Sequence, residues 1–154
     1  MPMSDQSRKQ RIGLAGEFLV AGELLRRGIM AAVTYGNAKK ADVVAVNGSR
    51  ATSLEVKTTS EQKWVLGGTV PEDTPSIWVL VHLPSDDTRP PEYFVFTSSE
   101  LRKLVLPQHE LYNARYRQTH GKEYSGRGVV SVQRKLIEDK HLGAWYKVAR
   151  AVGI

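Results

Sequence analysis

Three features of the sequence point to an α+β chain in which one long N-terminal helix lies against a mixed sheet. Residues 7–27 carry apolar positions at helical spacing and run into Gly28, a natural C-terminal stop. Residues 29–58 then hold three short runs that alternate apolar and polar residues, the last two meeting near Asn47-Gly48. Residues 77–83, IWVLVHL, are continuously apolar, as expected of a central strand covered on both faces. A helix followed by a β-meander must bury its apolar stripe somewhere, and the face of the sheet is the available surface.

At 100° per residue, Leu14, Phe18, Ala21 and Leu25 form the stripe expected to face the core. Glu17 falls on its shoulder, where an ionised carboxylate is costly without a cation or a hydrogen-bonding network. Glu23 falls on the opposite face near Arg26 and Arg27 and is expected at the solvent surface. Residues 29–35 predict the first strand, and GNAKK turns the chain into the second, which carries Asp42. Residues 51–58 predict the third strand. Residues 60–76 are ambiguous, EQKWVLGG reading as a short strand or a turn before a loop. YFVFT at 93–97 predicts another strand, and Ser98 or Ser99 would cap a short helix, ELRKLVL, ended by Pro107. Residues 108–128 read as a polar, basic surface loop. The last stretch reads as a strand entering a helix, with Trp145 as an anchor that closes the core.

With 154 residues, 41% of them hydrophobic, a single domain spanning 1–154 is expected, with a basic C-terminal extension from about residue 107. The absence of cysteine excludes disulfides and cysteine-ligated zinc. No apolar run approaches the roughly 20 residues of a spanning helix, and the first residues show no secretory pattern, so a cytoplasmic chain away from membranes is the default expectation. The net charge of +6 is unevenly spread. Residues 1–100 hold 11 Lys and Arg against 12 Asp and Glu, whereas residues 101–154 hold 11 against 4. A basic C-terminal third suits a phosphate backbone. The cations expected to touch nucleic acid are Lys39 and Lys40 in the first turn and Arg115, Arg117, Lys122 and Arg127 among the tyrosines of 112–124.

Chemistry concentrates in residues 41–59, ADVVAVNGSRATSLEVKTT. Glu55 and Lys57 are two apart on a strand and share a face. If Asn47-Gly48 is the loop, Val46 pairs with Ser49 and Asp42 falls opposite Ser53. If the loop spans Asn47 to Arg50, Val46 pairs with Ala51 and Asp42 falls opposite Glu55. Both registers put Asp42, Glu55 and Lys57 on one face, and a three-residue loop would send Asp42 to the other. Two carboxylates suit Mg²⁺ or Mn²⁺, hard cations that take oxygen ligands and keep several waters. Such a metal lowers the pKa of bound water and stabilises charge on a phosphoryl oxygen, and Lys57 beside it could orient or deprotonate the water. Glu17 could complete the shell from the helix. The four histidines show no metal-ligand pairing, and no nucleophile elbow, P-loop or dinucleotide fingerprint is present.

The run GLAGEFLVAGELLRRG, then Ala41-Asp42-Val43-Val44, then Leu54-Glu55-Val56-Lys57, resembles the PD-(D/E)XK nuclease superfamily. The opening is similar to its Holliday junction resolvase branch, and the tail to small bacterial members. The resemblance implies a restriction-endonuclease-like core of αβββαβ type and Mg²⁺-dependent hydrolysis of DNA phosphodiester bonds, in repair or recombination. It casts Glu17 as the helix glutamate, Asp42 as the metal aspartate, Glu55 as the (D/E) and Lys57 as the lysine. Resolvase-like members commonly act as dimers, so a homodimer is the assembly it admits. Two alternatives stay open: an inactive nucleic-acid-binding module of the same fold, and a regulatory partner whose basic tail binds an acidic protein.

Overall fold

The computed structural model describes residues 2–35, 41–122 and 128–154. Along them run α1 (Asp5–Arg26), β1 (Met30–Val33), β2 (Val43–Asn47), β3 (Arg50–Thr59), β4 (Lys63–Gly67), β5 (Ile77–His82) and β6 (Glu92–Thr97). There follow α2 (Ser98–His120), β7 (Val130–Gln133), two 3₁₀ turns (Arg134–Leu136 and Asp139–His141) and α3 (Tyr146–Ala151). Five strands form a mixed sheet in the order β1-β2-β3-β5-β6, antiparallel throughout except for the parallel pair β3 and β5. β4 and β7 form a separate antiparallel pair. The chain is thus α+β, with a meander directly behind its first helix.

Each face of the large sheet has its own apolar cluster. On one face, Val43, Ala45, Leu54, Val56 and Val79 meet Val20, Ala21 and Leu24 of α1, together with Trp145 and Val148. On the other, Leu80, Phe94 and Phe96 are covered by Leu101 and Val105 of α2 and by Trp64, Leu66, Val130 and Val132 of the small sheet. That second cover lies over β5 and β6. Over β2 and β3 the same face is only half-buried at Asp42, Val44, Ser53, Glu55 and Lys57.

α1 begins at Ser4, whose hydroxyl accepts from the Ser7 N–H at 3.2 Å, and stops before Gly28 at φ +80°. Its buried line is Gly16, Val20, Ala21 and Leu24, not the expected stripe. Leu14, Phe18 and Leu25 are exposed. Gly16 explains the rotation, because a Cβ built there would lie 1.8 Å from Thr58 Oγ1. The helix turns its smallest residue to β3 and so comes closer than a leucine stripe allows. The same rotation half-buries Glu23, whose carboxylate, 20% exposed, pairs with Arg27 and Arg26 rather than standing in solvent.

α2 also departs from expectation. Thr97, not Ser98 or Ser99, caps it, its hydroxyl accepting from the Glu100 N–H at 3.2 Å. Pro107 lies inside the helix, which ends only at Gly121, φ +67°. A proline removes one main-chain donor and crowds the preceding turn, but no second breaker follows within residues 108–120. The basic run expected to be loop is therefore helical as far as His120, and Tyr116 stacks on His120 at 4.0 Å. EQKWVLGG, ambiguous in the sequence between strand and turn, carries β4.

Under α2 lies a buried polar network. Lys147 Nζ donates to the Val95 carbonyl (2.8 Å), to Glu100 Oε2 (2.6 Å) and to His141 Nδ1 (3.0 Å), and the His141 ring stacks on Phe96. Burial, and then the neighbouring Lys147 charge, hold His141 below its usual 6.5. Burial alone would raise Glu100, but hydrogen bonds from Lys147 and Thr97 with the charges of Lys147 and His141 outweigh it and hold it below its usual 4.5.

Two predictions follow from the packing. Gly16→Ala should destabilise the chain by about 1–3 kcal/mol in denaturant melts, with Thr58→Ala restoring part of the loss. Both depressed groups stabilise the fold above their unfolded pKa values, because below these the unfolded chain binds more protons. Stability should therefore fall as pH drops below about 6.5 through His141 and again below about 4.5 through Glu100. In melts at stepped pH, His141→Gln should lose the upper of these two limbs.

Candidate active site

The site is built on the β2–β3 hairpin. Val43 pairs with Leu54, Val44 with Ser53, Val46 with Ala51 and Asn47 with Arg50. This is the register that sets Asp42 against Glu55. The turn residues are Gly48 and Ser49, and Gly48 supplies φ +60° there. Asn47 instead pairs in the ladder and donates from Nδ2 to the Val152 carbonyl at 3.0 Å, tying the hairpin to the C-terminus.

One residue beyond the last ladder pair, the Asp42 N–H donates to the Leu54 carbonyl and the Thr34 N–H donates to the Asp42 carbonyl, each at 3.0 Å. The Asp42 side chain takes over where main-chain pairing ends: its Oδ2 accepts from the Val56 N–H at 2.9 Å. Val56 stands between Glu55 and Lys57, so that bond anchors the Asp42 carboxylate beside both. All three side chains are half-buried on the open part of the sheet face. Next to them on β5, Glu55 is in register with Trp78 and Lys57 with Leu80.

Glu17 approaches this edge from α1 and is half-buried. The residue before it meets Thr58 near the end of β3, and the ring of the residue after it, Phe18, lies 6.4 Å from the ring of Tyr35 just beyond β1. The ends of β1 and β3 and the start of β2 lie at one edge of the sheet, since β2 is antiparallel to both.

The expected nucleic-acid contacts are dispersed. Lys39, Lys40 and Arg127 lie outside the described residues. Arg115 lines a groove between α2 and β7, while Arg117 and Lys122 are exposed at the end of α2 and just past it. Lys57 lines a different hollow, between the start of α1 and the end of β3, with Arg8 and Lys9. Neither Arg8 nor Lys9 stands out in the sequence, where they are two charges among several at a helix start. The alternation of KWVLG, one side apolar and the other not, was the available signal for Lys63, which joins them in that hollow.

Asp42 and Glu55 supply hard oxygen donors, which fits Mg²⁺ or Mn²⁺. Among the described residues, no group of three or more His, Cys, Asp or Glu side chains is disposed to hold an ion. The donors present therefore suit a shell of two carboxylates completed by water and substrate oxygens, as Mg²⁺ commonly accepts. The buried histidines serve elsewhere, His82 beside Glu92 and His141 in the Lys147 network. No helix among the described residues is long and apolar enough to cross a membrane.

The Val56 bond separates charge from hydrogen bonding at Asp42. Asp42→Asn keeps an acceptor for the Val56 N–H and should stay within about 0.5 kcal/mol of the parent, whereas Asp42→Ala should lose about 1–2 kcal/mol. Chemical denaturation of the two variants checks this.

No protein-family model and no curated protein sequence matches the chain. Solved structures do. Archaeoglobus fulgidus Hjc, a Holliday junction resolvase from an archaeal hyperthermophile, is 15% identical over 80% of this chain and 85% of its own, with a TM-score of 0.46. A bacterial homing endonuclease, I-Ssp6803I, is 11% identical over 92% of this chain and 93% of its own, with a TM-score of 0.55. At that identity the likeness to the homing endonuclease speaks to fold alone. The chain shares the overall fold of that homing endonuclease.

Proposed function

We propose that the chain is a divalent-metal-dependent deoxyribonuclease that hydrolyses phosphodiester bonds where Asp42, Glu55 and Lys57 share a face. The observation that carries this reading is the hairpin register, with the Asp42 carboxylate anchored on the Val56 N–H between Glu55 and Lys57.

Asp42 and Glu55 would hold Mg²⁺ or Mn²⁺, with Glu17 reaching it from α1 through a water. Bound there, the metal supplies an acidified water and a counter-charge for the phosphoryl oxygen. The protein's own part is to position. The Val56 N–H fixes one Asp42 oxygen beside Glu55 and Lys57. Lys57, on the same strand face as Glu55, orients the attacking water or takes its proton, and its ammonium form stabilises charge developing on the phosphate. Because Lys57 also lines the hollow beside Arg8 and Lys9, a phosphate approaching it meets a cationic surface.

One observation favours a second reading, a DNA-binding module without turnover: the lack of a three-ligand group among the described residues. Nicking of supercoiled, linear and four-way-junction DNA in Mg²⁺ or Mn²⁺ separates the two. The nuclease reading expects cleavage by the parent protein and a loss of about 10²-fold or more in Lys57→Ala and Glu55→Gln. Parent and Lys57→Ala proteins equally inert on all three substrates would remove catalysis and leave the binding module.

A further inference from the structure

Three hollows on the surface share lining residues and join into one groove. The first, about 560 Å³, lies between α1 and the end of β3 and holds Arg8, Lys9 and Lys57. Lys63 and Glu61 line both this hollow and a second of about 440 Å³. Gln133 and Lys135 line the second and also a third, about 690 Å³, which reaches Arg115 and Tyr112 on α2. The connecting surface is the outer side of the β4–β7 pair. Lys63 pairs with Gln133 and Val65 with Ser131, and all four are exposed, while Trp64 and Val132 between them point inward and are buried.

That small sheet is firmly seated. Trp64 Nε1 donates to the Val81 carbonyl at 2.9 Å, and its ring meets Phe94 edge-on at 5.7 Å. The Arg134 N–H donates to the Gln62 carbonyl at 2.8 Å, and Arg134 Nη2 bonds both oxygens of Glu92 at 2.6 and 2.7 Å. Among the described residues, the groove presents six cations along its length, Arg8, Lys9, Lys57, Lys63, Lys135 and Arg115, against two carboxylates, Asp5 and Glu61. Asp5 is paired with Lys9 at 2.9 Å. A row of cations with one exposed tyrosine at its far end suits a polyanionic chain.

We propose that this groove is the substrate track, in which the sugar–phosphate backbone of DNA runs on from the candidate catalytic edge across the outer face of β4–β7 to α2. The proposal rests on the nuclease reading for its starting point at Lys57, but predicts binding rather than cleavage. Lys63 and Lys135 are the critical positions because they bridge the separate hollows and take no part in the chemistry.

The test measures binding of a labelled DNA duplex and of the matching single strand at several salt concentrations in EDTA, with the double variant Lys63→Gln/Lys135→Gln. The expected result is weaker binding, irrespective of sequence, with a slope of log affinity against log salt shallower by about two. The charge-matched pair Lys140→Gln/Arg150→Gln, away from the groove, should bind as the parent does, and circular dichroism confirms that both variants are folded. Unchanged affinity and slope in the groove variant, with the parent binding DNA, would overturn the track and leave the nuclease reading standing. A groove-dependent parent that never cleaves DNA in metal would support the track and remove the nuclease. A parent that binds neither probe would overturn the track.

Discussion

Val43 pairs with Leu54, and one step further the Asp42 carboxylate takes the Val56 N–H as its partner. This junction, where a side chain replaces the main chain at the end of a ladder, is what the candidate site depends on. A slip of one residue in β2 would move Asp42 to the face packed under α1 and leave a charge among Leu54, Val56 and Val20. The register is held by burial: Val43 and Ala45 on one strand, Leu54 and Val56 on the other, must all meet the same apolar cluster. Burial on one face thereby sets charge on the other.

The two covers of the sheet divide its labour. α1 approaches so closely at Gly16 that Leu14 and Leu25 are turned outward, and this brings the Glu17 turn toward the end of the sheet where Asp42 precedes β2. On the opposite face, α2 and the β4–β7 pair cover β5 and β6 and stop short of β2 and β3. Asp42, Glu55 and Lys57 are half-buried as a result. They are shielded enough for charges to interact more strongly than in water, and open enough for a substrate to reach them. The small sheet also extends the accessible surface, because Lys63, Ser131 and Gln133 face outward with Val65 while its inward residues are pinned by Trp64.

Much of this was legible in the chain. Strand patterning is a local signal, period-two around Asp42 and Glu55 and continuously apolar over residues 77–83, and in two of the three hairpin registers it places the three candidate residues on one face. The helix stripe failed because amphipathicity counts hydrophobic size, whereas close packing at Gly16 rewards its absence. Pro107 misled for a related reason: a proline costs one hydrogen bond and a steric clash, and a helix seated by Leu101 and Val105 continues past it. The basic run after it shows no apolar strand or helix repeat strong enough to declare itself.

Composition, alternation and motif order by themselves determined an α+β chain with Glu55 and Lys57 on one strand face, since each of these depends on residues close in sequence. Tertiary structure decided the rest. It selected the register with Asp42 opposite Glu55, turned α1 onto Gly16, and carried Arg8, Lys63, Lys135 and Arg115 from distant parts of the chain into a single groove. The physical reason is common to all three: each is chosen by which surfaces can be buried together, the hairpin register by its packing under α1 and the other two across elements far apart in sequence, and no local pattern records that choice.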